Sequence, residues 1–108
     1  MTDCVVITTS LGTRDDAHRI AAALIEERLA ACVQMMPIES HYRWDGQVET
    51  ASELLLTIKT TAARAPAAEA RIAALHNYAL PEVLITPVIG GAAAYLAWIA
   101  REVTPAGP

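Results

Sequence analysis

Residues Cys32 to Thr60 constrain this chain more than any other stretch, because they read as one long β-hairpin with its turn at Asp45-Gly46. An Asp-Gly pair supplies two residues that tolerate φ > 0, as a type I′ turn requires. With those two as the loop, Trp44 faces Gln47, Tyr42 faces Glu49, Met35 faces Leu56 and Val33 faces Ile58. Strand alternation sends Val33, Met35, Leu54, Leu56 and Ile58 to one side, which reads as a core face. Cys32, Gln34, Thr57 and Lys59 go to the other side, in line with Tyr42, Trp44 and Glu49. Strands of about twelve residues span roughly 40 Å, some twice the usual length. A small domain cannot cover such a hairpin, so its tip projects. An arm carrying Tyr42 and Trp44 into water is expected to lie on another copy of the chain. Pro37 leaves room for a bulge in the register.

Around the hairpin the pattern alternates. Cys4 to Thr9 is an apolar, β-branched run that suits a buried strand, and Ser10-Leu-Gly12 is expected to break it. Thr13 with Asp16 three residues on resembles a capping box. Ala17, Ile20, Ala21, Leu24 and Ile25 then fall on one face of a helix over about 14–28. A second helix starts near Pro66 and ends near Asn77, with Ala68, Ile72 and Leu75 inward. Tyr78 to Pro81 reads as a turn. Val83 to Ile89 reads as a strand, with Pro87 placing its later part on an edge. Ala92 to about Glu102 reads as a third helix. The order β-α-β-β-α-β-α predicts an α+β, ferredoxin-like split βαβ fold, with a four-stranded antiparallel sheet and a long projecting hairpin. Two helices would cover one face. The other, moderately apolar face would be bare, which argues for a closed oligomer.

The 108 residues make one domain, 1–108, with a loose tail expected at 104–108. A net charge of −4 without a basic run argues against nucleic acid as a partner. No apolar run is long enough for a membrane helix. The start, Met1-Thr2-Asp3-Cys4, lacks a basic region followed by an apolar stretch, so a cytoplasmic location is expected. Cys4 and Cys32 lie too far apart for a CxxC motif and read as free thiols. The aromatics are two Trp and three Tyr with no Phe. Each carries a polar tip, which suits interfaces and pockets.

Several segments together resemble the CutA family, the divalent-cation tolerance proteins. They are Glu27-Arg-Leu-Ala-Ala-Cys-Val33, Ser40-His-Tyr-Arg-Trp-Asp-Gly46 with Glu49 and Glu53, and Lys59-Thr60. His76-Asn-Tyr78 with Pro81-Glu82, and Tyr95-Leu-Ala-Trp98, complete the set. The resemblance implies a homotrimer of ferredoxin-like subunits whose hairpins reach across to neighbours, with Tyr42, Trp44 and Trp98 at the trimer interface. It also implies an architecture like the PII signalling proteins, trimers that bind small effectors between subunits. The family name implies a part in copper and divalent-metal tolerance. The chain has Thr9 and Leu75 where some members carry a thiol and a second histidine.

Two site readings follow. His76, Glu82 and Cys32 are candidate ligands for Cu2+ or another divalent cation, since imidazole, thiolate and carboxylate suit such ions. The plainer role for His76 is a structural hydrogen bond. Alternatively, Lys59, Tyr78, Trp44 and Glu49 converge at a subunit boundary as a cleft for a small, anionic ligand. The plainer roles there are ion pairing for Lys59 and interface packing for Trp44. Glu49 and Glu53 share a strand face, but no nucleophile–base pair or glycine-rich phosphate loop is present, so no catalysis is expected. A third reading is a structural trimer that scaffolds a partner protein.

Overall fold

The computed structural model describes residues 2–105. The elements are β1 (Cys4–Leu11), α1 (Arg14–Glu26), β2 (Cys32–Trp44), β3 (Gln47–Thr61), α2 (Ala65–Leu75), β4 (Leu84–Pro87) and α3 (Ala93–Val103). The four strands form one sheet in the order β2-β3-β1-β4, and every neighbouring pair is antiparallel. This is the ferredoxin-like arrangement expected from the element order. Of the tail expected at 104–108, residues 106–108 lie outside the described residues.

The hairpin has the expected register. Trp44 pairs with Gln47, Tyr42 with Glu49, Met35 with Leu56 and Val33 with Ile58. Asp45 and Gly46 take φ of 51° and 77°, so both loop residues occupy the left-handed region that a type I′ turn demands. Pro37 introduces no bulge and pairs in line with Leu54. β2 is an edge strand, where a missing N–H is tolerated.

Ile7, Leu11, Ile20, Leu24, Leu56, Ile58 and Ile72 are fully buried between the sheet and the helices α1 and α2. Val33 and Met35 are partly buried against the same cluster. Several boundaries differ from the sequence reading, among them the end of α2 at Leu75 instead of near Asn77. β1 runs on to Leu11 because that side chain is fully buried beside Leu54, its partner on β3. α1 stops at Glu26 because Arg28 turns to φ 56°. The Leu29 N–H then donates to Leu24 O at 2.9 Å and the Arg28 N–H to Ile25 O at 3.2 Å, a Schellman closure built on arginine instead of glycine. β4 is shorter than the expected 83–89 and ends at Pro87, although the Val88 N–H still donates to Cys4 O at 3.0 Å.

The second face of the sheet is not left wholly bare. α3 crosses one end of it. Its Ile99 and Val103 are buried, the Cys4 thiol donates to Leu96 O at 3.7 Å, and Lys59 Nζ donates to the Tyr95 hydroxyl at 3.3 Å. Burial beneath this helix pushes the Cys4 thiol pKa up.

Candidate functional site

The segment after α2 is positioned by its own side chains. His76 ends α2, its N–H donating to Ile72 O at 2.8 Å. Its ring Nδ1 accepts the Tyr78 N–H at 3.1 Å, which leaves the ring proton on Nε2, 2.9 Å from Ser10 O. Nε2 therefore fastens the segment to β1, and Nδ1 holds the turn at Tyr78. Asn77 donates to Asp16 Oδ2 at 2.9 Å, and Arg19 donates to Leu75 O at 2.9 Å. The Asp16 N–H donates to the hydroxyl of Thr13, the N-cap residue, at 3.1 Å, as the capping pattern predicts, and that hydroxyl lies 2.9 Å from Asp16 Oδ2. The hydrogen bond from Thr13, then those from Arg19 and Asn77, hold the Asp16 carboxyl below its ordinary range.

Tyr78 crosses the end of the sheet to the arm. Its hydroxyl donates to Glu53 Oε2 at 2.8 Å. Gly12 makes room for this, since a Cβ there would lie 3.3 Å from the Tyr78 hydroxyl. Burial, then the Glu53 carboxylate, push the Tyr78 pKa up to about 12. The raised value belongs to an acid kept neutral by folding. Its contribution to stability is therefore complete below pH 10, its ordinary value, and is lost as pH rises through about 12. Near-ultraviolet titration is expected to show a late phenolate step that disappears in Tyr78→Phe. A single step near pH 10 for the whole protein would contradict this arrangement.

Between the arm and the 76–82 segment lies an open cleft of about 610 Å³. Tyr42, Trp44 and Tyr78 line it together with Glu53, Glu82 and His41. Ser40 and Asn77 add neutral polar groups, and no lysine or arginine is among the lining residues.

Of the sequence-predicted residues, Tyr78, Trp44, Glu82 and Tyr42 thus meet at one cleft. The others are elsewhere. His76 stands behind the cleft with both nitrogens occupied. Cys32 opens β2 opposite Lys59, at the far end of the hairpin from Trp44. Lys59 sits 5.4 Å from the centre of the Tyr95 ring instead of in the cleft. Glu49 lies out on the arm across from Tyr42 and does not line the cleft. Trp98 is on α3, its ring stacked 5.5 Å from Tyr95. His76, Glu82 and Cys32 are therefore not brought together. Among the described residues, no group of three or more His, Cys, Asp or Glu side chains is placed to hold a metal ion. His41 is a lining residue that sequence reasoning did not single out, and Glu53 was weighed only with Glu49 as a carboxylate pair, not as part of this cleft. Glu53 had a signal, since it shares its strand face with Tyr42 and Trp44.

Comparison with known proteins places this geometry in a family. A profile described as "CutA1 divalent ion tolerance protein" matches residues 4–102. A divalent-cation tolerance protein CutA of Thermus thermophilus is 44% identical over 100 residues, which cover 92% of this chain and 96% of that protein. The chloroplastic protein CutA 1 of Oryza sativa is 40% identical over 96 residues, 88% of this chain; the match spans 54% of that longer protein. A crystal structure of CutA from Xylella fastidiosa superposes with a TM-score of 0.93 at 41% identity, covering 95% of this chain and all of that one. The chain belongs to the CutA family of divalent-cation tolerance proteins.

Proposed function

We propose that the protein serves divalent-cation tolerance as a non-catalytic homotrimer in the cytoplasm. Its ligand is held in the cleft between the arm and the 76–82 segment, and a neighbouring copy completes the cleft. The observation that carries this reading is the cleft itself, an open space of about 610 Å³ walled by an arm that one chain leaves uncovered. Tyr42 and Trp44 are 45% and 47% exposed there, and Val48 beyond them 68%. Exposed apolar surface of this kind is what a subunit contact removes from water. Free thiols at Cys4 and Cys32 accord with a reducing compartment.

The alternative, an effector sensor of the PII type, gains from the size of the cleft. The space exceeds what a bare ion needs, and the described residues supply no three-ligand group. An anionic effector, however, would face Glu53 and Glu82 with no basic lining residue to receive it.

Copper(II) titration of the metal-stripped protein by calorimetry, with the mass measured by light scattering, tests the proposal. Saturable binding near one ion per chain, weakened by Glu82→Gln, and a mass of three chains are the expected results. Because the His76 nitrogens are occupied, His76→Ala should leave the mass unchanged. Weak, non-saturating binding together with the mass of one chain would overturn the reading. A trimer that binds nothing would point to the scaffold role instead.

A further inference from the structure

The cleft's lining defines a class of ligand. Three aromatic residues from two separate segments, Tyr42 and Trp44 on the arm and Tyr78 opposite, share one cavity with the carboxylates Glu53 and Glu82. Aromatic faces carry negative quadrupolar charge and attract cations, more strongly where water is displaced. The carboxylates act in the same sense, and no basic residue opposes them. The Tyr78 phenol, with its pKa pushed up to about 12, stays a neutral donor and keeps Glu53 aimed through Oε2.

A hard divalent ion needs several oxygen or nitrogen ligands at about 2–2.6 Å. A cation whose charge is spread over a carbon-covered surface needs none at that distance. It needs π faces and a diffuse negative field, which is the way aromatic cages take quaternary ammonium groups. We propose that the cleft formed by Tyr42, Trp44, Tyr78, Glu53 and Glu82 binds an organic ammonium ion. This rests on the reading of the cleft as the ligand site and names the chemical class of its ligand.

The test follows the indole N–H resonance of Trp44 during titration with tetramethylammonium chloride. Neopentyl alcohol serves as a neutral isostere, and sodium acetate and copper(II) as the other arms. The expected result is a saturable shift with tetramethylammonium that the alcohol and acetate do not produce. Glu53→Gln and Glu82→Gln should each weaken it by about tenfold, since each removes one charge while keeping size and shape. Equal response to the neutral isostere would overturn the ammonium assignment and leave a ligand cleft of another kind. A response to copper(II) alone would do the same in favour of a metal. Silence to every probe would remove both the ammonium assignment and the cleft's role as a ligand site. Unchanged affinity in both glutamine variants would also overturn the proposal, because their folds can be checked independently by thermal melting and circular dichroism.

Discussion

Ile58→Ala is expected to destabilise the protein by about 2–5 kcal/mol, the range for truncating a fully buried isoleucine. Ile58 is fully buried and lies in register between Ile7 on β1 and Val33 on β2. Removing its outer carbons leaves a void that side chains on both neighbours must collapse to fill. Thr57, one residue before it, faces the other side of the sheet, and Thr57→Ala should shift stability by no more than about 0.5 kcal/mol. Urea midpoints at one fixed protein concentration make the comparison, with equal slopes required for it to count. Because a domain of this size has only about 5–15 kcal/mol in hand, Ile58→Val is the fallback, at about 0.5–1.5 kcal/mol. A larger cost at 57 than at 58 would mean that the strand alternation is shifted by one residue.

Trp44→Ala is expected to weaken assembly by about 2 kcal/mol or more per contact, roughly thirtyfold in dissociation constant. Trp44 is the last residue of β2 and is 47% exposed within one chain, so its large ring is available to anchor the arm on a neighbour. Trp98 offers a control. Its ring already stacks on Tyr95 within α3, so Trp98→Ala should disturb assembly less. Sedimentation equilibrium over a dilution series reads both. A wild-type mass that Trp44→Ala leaves unchanged at the lowest concentration would count against docking through the arm tip.

The parts of the fold that were legible are those fixed by short-range chemistry. The Asp45-Gly46 turn sets one pairing, and alternation carries it unchanged down thirteen pairs to Cys32 and Lys59. What was not legible depended on tertiary choices. Arg28 accepts a left-handed conformation without being glycine, because closure of α1 buries Leu29 beside Leu24. Ser10 and Leu11 stay in β1 because Leu11 is buried, although its neighbours look like a break. The site divided in the same way. Face parity correctly grouped Trp44 and Tyr42, but parity says nothing of distance along a strand. Lys59 shares the face of Glu53 and yet lies roughly 20 Å along β3 at about 3.3 Å per residue. His76 was recognisable as special. A structural hydrogen bond was the plainer role expected for it, but its partner was hidden, because Ser10 O is a main-chain group that no residue pattern reports.

The placement of α3 has a consequence for motion. None of its side chains belongs to the core cluster around Ile7 and Ile58. It is held to the sheet through Leu96, Tyr95, Ile99 and Val103, over Cys4 and Lys59. Lifting this last helix therefore admits water to Cys4 and Lys59 without breaching the layer between the sheet and the other two helices. The two faces of one sheet open at different free-energy cost: the Cys4 face by a local excursion, the Ile7 face only by unfolding the molecule.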